Sequence, residues 1–103
     1  KSPMTHPSAP MDPLDVAAAA FSSRLRLDIL SALARSPGST AQQLAAELGV
    51  IRSTLGVNLR ALEAAGVVLA DDPSTDRSGR RLRYRVNLAV YEGAVAAIRG
   101  LIA

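Results

Sequence analysis

From residue 13 to residue 66 the apolar positions recur at helical spacing in four successive blocks. Leu14, Val16, Ala17 to Ala20 and Phe21 follow Pro13, which a first helical turn tolerates, with Asp12 positioned as a cap; this predicts a first helix. Leu25, Ile29, Leu30 and Leu33 predict a second, interrupted or capped before its start by Ser22 and Ser23 and stopped by Ser36, Pro37 and Gly38. Thr40 and Gln43 have the spacing of a capping box, in which the Thr hydroxyl accepts an orphan amide hydrogen and the Gln reaches back to the cap. The third helix therefore begins there, sets Leu44, Ala45 and Leu48 on one face, and ends at Gly49, where left-handed backbone is unstrained. A fourth runs through Leu55, Leu59 and Leu62 to Gly66.

Past Gly66 the period shortens to two. Val67, Val68 and Leu69 read as a strand that runs into a polar stretch from Asp71 to Gly79. In the return strand Leu82, Tyr84 and Val86 alternate with Arg81, Arg83 and Arg85, so one face is apolar and the other cationic. Two short helices joined by a Gly-containing turn form a helix-turn-helix, whose second member fits a major groove. A hairpin directly behind it, with arginines at its tip and outer face, is the wing of a winged helix. The predicted fold class is mainly α (α+β): four helices, a two-stranded hairpin and a final helix from Asn87 to Ala103, with Asn87 as its cap. That last helix carries two apolar stripes, Leu88, Tyr91, Val95, Ile98 and Ile102 on one and Val90, Ala94, Ala97 and Leu101 on the other. A helix apolar nearly all round needs cover on both sides. One stripe is expected to meet the chain's own core and the other a second copy, so the predicted dimer interface is Leu14, Ala17 and Phe21 with Val90, Ala94, Ala97 and Leu101.

Composition narrows the reading. The chain has 103 residues, of which 49% are hydrophobic and 3% aromatic, enough for one domain over residues 13–103 with a thin aliphatic core. Residues 1–12, with three prolines and no periodicity, read as a flexible tail. Met4 and Met11, with no Met at position 1, mark the first residues as an expression remnant. The absence of Cys excludes disulfides, thiolate nucleophiles and Cys-ligated metals, and the sole imidazole, His6, lies in the tail. With no Gly-rich phosphate loop either, no enzyme activity and no cofactor are expected. No apolar run approaches the length that spans a bilayer and no leader pattern stands at the start, so a cytoplasmic protein without membrane contact is expected.

The net charge of +3 is small but unevenly placed. Residues 76–85 alone carry +4, and Arg52 and Arg60 lie on the fourth helix. Arg52, Ser53, Thr54 and Asn58 would lie along the exposed half of that helix, where Asn can pair two atoms of adenine and Arg two of guanine. Gly56 would allow close backbone approach to DNA or a tight helix crossing, and Arg60 would reach a phosphate or pair with a nearby acid. Arg77, Arg80, Arg81 and Arg83 are the candidate wing contacts to phosphate or the minor groove. Asp71, Asp72 and Asp76 are read as solvated loop acids rather than a metal site.

The set Arg26, Leu27, Ile29, Leu30 and Leu33, then Leu44, Ala45, Leu48 and Gly49, then Ser53, Thr54, Leu55, Leu59, Arg60, Leu62, Ala65, Gly66 and Val68 resembles the ArsR-type (arsenic-repressor-type) regulators. The similarity runs over about residues 14–102 and is shared in part with MarR-type regulators. The resemblance implies a homodimer held by the first and last helices, binding double-stranded DNA at a near-palindromic operator and acting as a repressor. The family's metal sensors use Cys, or His and acidic residues, that this chain lacks at the corresponding places. Ile51 stands where a capping Ser is common, and Gly56, Val57 and Asn58 where Ser, Arg and His are common. An unknown small-molecule or protein effector is compatible with this reading. The alternative function is a protein-interaction or architectural module without sequence-specific DNA binding; structured RNA is disfavoured because aromatic stacking platforms are missing.

Overall fold

The computed structural model describes residues 11–71 and 82–103. The predicted tail therefore falls outside the described residues except for Met11 and Asp12, as do His6, Asp72, Asp76, Arg77, Arg80 and Arg81. In chain order the elements are α1 (Pro13–Ala20), α2 (Arg24–Arg35), β1 (Ser39–Thr40), α3 (Ala41–Leu48), α4 (Arg52–Ala64), β2 (Val68–Ala70), β3 (Arg83–Val86) and α5 (Leu88–Ile102).

The capping chemistry explains most of the boundaries. Ser23 accepts the Arg26 amide at the start of α2, and Asn87 Oδ1 accepts the Val90 amide at the start of α5. Thr40 Oγ1 accepts from the Gln43 amide at 3.1 Å while Gln43 Oε1 accepts from the Thr40 amide at 2.9 Å, the full reciprocal box. Asp12 departs from expectation: it occupies the cap position of α1, but its side chain makes no capping bond there.

β1 is an element that the hydrophobic pattern did not predict. Thr40 must be extended to cap α3, and its φ of −86° and ψ of 165° are already those of a strand. Ser39 and Thr40 thus pair antiparallel with the free edge of β3, opposite Tyr84 and Arg83, giving the sheet order β1-β3-β2. On the other side Val68, Leu69 and Ala70 face Val86, Arg85 and Tyr84. The register puts Tyr84 inward and Arg83 and Arg85 outward, as the alternation requires.

One aliphatic core gathers Ile29 and Leu33 of α2, Leu44 of α3, Leu55 and Leu62 of α4, and Val67 and Val68 at the start of the hairpin. α1 packs along α5, and small side chains bring the two helices into this core. This corrects the predicted interface: Ala17 and Ala94 are 4% and 0% exposed, and Val90 is packed against the same cluster, so these positions serve the protomer's own core. Phe21 and Ala97 are half-buried, and Phe21 meets Tyr91 edge to face with ring centroids 6.1 Å apart. Only Leu14 and Leu101 of the predicted set are exposed, and they are joined on the outside by Leu88, Tyr91 and Ile102. The two predicted stripes of α5 are not kept apart: Ile98 joins Val90 and Ala94 against the core, whereas Leu101 is exposed with Leu88, Tyr91 and Ile102.

Candidate nucleic-acid interface

α3 and α4 are joined by a tight turn whose geometry is set by Gly49. Its φ of +70° lets the amides of both Gly49 and Val50 reach the Ala45 carbonyl, at 2.9 and 3.1 Å. The chain then extends through Ile51 and re-enters a helix at Arg52. Leu55, Leu59 and Leu62 hold α4 to the core by its inner face, so Ser53, Val57, Arg60 and Ala64 point away from the domain, flanked by Arg52 and Thr54. Ile51 sits at the cap position of α4, and no side-chain capping hydrogen bond is made there.

Two of the predicted residues act on their neighbours. Gly56 is half-buried, and a Cβ there would lie 3.3 Å from Arg60 Nη1. The Arg60 guanidinium therefore folds back over position 56, toward the helix start, in the direction that helical side chains favour. Asn58, expected to face a groove, is tied into the domain instead: its Oδ1 accepts from Arg26 Nε at 2.9 Å and its Nδ2 donates to the Thr54 carbonyl at 2.9 Å. Arg26 Nη1 donates to the Ala19 carbonyl at 2.8 Å, so a single guanidinium on α2 connects α1 and α4. This latch was missed by sequence reasoning. The available signal was that Arg26 has no acid three or four residues away on its own helix, whereas Arg24 has Asp28 at the next turn.

The other cations of α2 are also engaged, Arg24 with Asp28 at 2.9 Å and Arg35 with Glu47 of α3 at 2.8 Å. The outward arginines of the described wing are Arg83 and Arg85. Arg83 combines two roles: its amide donates to Asp71 Oδ1 at 3.0 Å, at the loop end of the paired strands, and its Nη1 donates to the Gly38 carbonyl at 3.1 Å. Asp71, read as a solvated loop acid, thus has a structural task. Arg77, Arg80 and Arg81 lie outside the described residues. Among the described residues no three His, Cys, Asp or Glu side chains come together as metal ligands, and no helix is long and apolar enough to cross a membrane.

The architecture has known relatives. Residues 21–69 match a helix-turn-helix domain family, a span that contains α2, β1, α3, α4 and most of β2. An ArsR-like transcriptional regulator from Rhodococcus sp. RHA1 is 30% identical, with a TM-score of 0.68 over 86% of this chain and 76% of that one. A homodimeric winged helix-turn-helix DNA-binding domain from Mycobacterium bovis is 27% identical, with a TM-score of 0.63 over 86% of this chain and 79% of that one. The antimony-specific transcriptional repressor AntR is 25% identical, with a TM-score of 0.61 over 84% of this chain and 75% of that one. No curated protein matches the sequence. A winged helix with this helix order, at 30% identity over most of both chains, is sufficient to conclude that the chain belongs to the ArsR-like family of transcriptional regulators.

Proposed function

We propose that the chain is a homodimeric repressor that acts in the cytoplasm on a near-palindromic operator, with α4 of each protomer in a major groove. The observation that carries this reading is the outward face of α4, where Ser53 and Arg60, flanked by Arg52 and Thr54, stand clear of the core. Arg52, Ser53, Thr54 and Arg60 are the contacting side chains, and Gly56 permits close approach of the helix. Asn58 serves by holding α4 at its angle to α2. The wing arginines Arg77, Arg80, Arg81 and Arg83 supply affinity for phosphate rather than sequence choice.

Dimerisation is supported by the exposed apolar side chains of Leu14, Leu88, Tyr91, Leu101 and Ile102, all on the two helices that pack along each other. Beside them is an open groove of about 360 Å³ lined by Phe21, Leu27, Leu30, Val86, Leu88 and Tyr91, which extends the same apolar surface. A thin core in a chain of this size gains from having such a surface covered by a second copy. The homodimeric M. bovis relative and the repressor AntR support the assembly and the sign of regulation.

Replacing Arg80 and Arg81 together by Ala tests the reading. Binding to all duplexes should weaken, and the slope of log affinity against log salt should flatten by about 1 for each phosphate that is no longer neutralised. Fluorescence anisotropy with a labelled duplex at several salt concentrations measures both quantities; unchanged affinity and slope would contradict the proposal.

A further inference from the structure

With both polar atoms of Asn58 used inside the chain, the outward face of α4 has no side-chain amide with which to read adenine. It carries a bare aliphatic side chain instead. Val57 lies between Ser53 and Arg60 on that face and is 58% exposed, and Ile51 at the helix start is 70% exposed. Every other exposed large hydrophobic among the described residues is either Met11 or a residue of α1, α2 or α5, where the apolar surface assigned to the second copy lies. Folding does not account for Val57. A β-branched residue in a helix interior lowers helix propensity, and an outward one adds little burial.

The Arg60 guanidinium folds back over Gly56, so that contact does not cover Val57. A small apolar knob on a face that also carries Ser53 and Arg60 matches one feature of the major groove, the 5-methyl group of thymine, which no other base presents. We propose that Val57 is a specificity-determining residue that reads a thymine methyl in each operator half-site. The proposal deepens the DNA-binding reading and rests on it.

The test uses the full chain and the operator recovered from random duplex DNA. Each thymine is replaced in turn by uracil, in both half-sites, which removes only the methyl group and keeps base pairing and the O4 acceptor. At one position the wild type should lose about fourfold in affinity per half-site, the equivalent of one buried methyl group. Val57→Ala should still bind the duplex and should be indifferent to uracil at that position. Equal affinity of the wild type for thymine and uracil at every position overturns the proposal while leaving DNA binding intact, as does a Val57→Ala variant with undiminished uracil sensitivity. Failure of the wild type to retain any duplex overturns the DNA-binding reading and this proposal together.

Discussion

Asn58→Ala separates a latch from a base-reading side chain. The Asn58 amide accepts from a guanidinium at 2.9 Å across the α2 to α4 boundary, and a hydrogen bond to a charged group is worth about 1.5 to 3 kcal/mol net. Two effects reduce that figure. Ala is the better helix former by about 0.6 kcal/mol, and the half-buried Arg26 keeps its bond to the Ala19 carbonyl and is reachable by water. The expected loss is about 1 kcal/mol, or about 4 to 8 °C in Tm for a domain of this size. The measurement is a denaturant or thermal melt at one fixed protein concentration, so that dimerisation does not shift the midpoint. A cycle with Arg26→Ala should give a coupling of about 1 kcal/mol, because the two side chains share the same bond. Reselecting an operator with Asn58→Ala should return the wild-type motif. A variant as stable as wild type, additive with Arg26→Ala, and relaxed at one adenine by about 1 to 3 kcal/mol would refute the latch and restore Asn58 to the groove.

Ile51→Ser gives α4 the side-chain cap that it lacks, and should raise unfolding stability by about 1 kcal/mol, read as a higher urea midpoint with an unchanged slope. Thr40→Ala removes one half of the capping box at α3 and should lower stability by about 1 kcal/mol in the same experiment. Leu101→Glu and Ile102→Glu alter side chains that are 68% and 79% exposed, so the fold should persist by circular dichroism while sedimentation shows a shift from dimer to monomer. Unchanged sedimentation of both variants would move the interface away from the end of α5.

What was legible in the chain was whatever short-range chemistry specifies. The Thr40 to Gln43 box, the left-handed Gly49, the Asn87 cap and the Leu82, Tyr84, Val86 alternation each fix an element from within a few residues. The outward placement of Ser53 and Arg60 follows from the Leu55, Leu59, Leu62 spacing, whereas Arg52 is exposed because it is the first residue of α4. What was not legible depends on partners distant in sequence. β1 has two residues and no period of its own, and exists because a cap residue and a free strand edge meet. Asn58 has the spacing of an exposed residue but finds Arg26, 32 positions earlier. On α5 both predicted stripes are apolar, and the inner face takes Val90 and Ala94 from one and Ile98 from the other, where the helix packs on α1 and the core.

The central claim is that two copies of this chain together recognise a specific duplex. In vitro selection from random duplex DNA, performed alongside a molar-mass measurement of the free protein, tests both halves at once. The account predicts a species of twice the chain mass and enrichment of an imperfect palindrome whose half-sites are about one helical turn apart. A monomer that enriches no sequence, with only salt-labile retention of DNA, would contradict it.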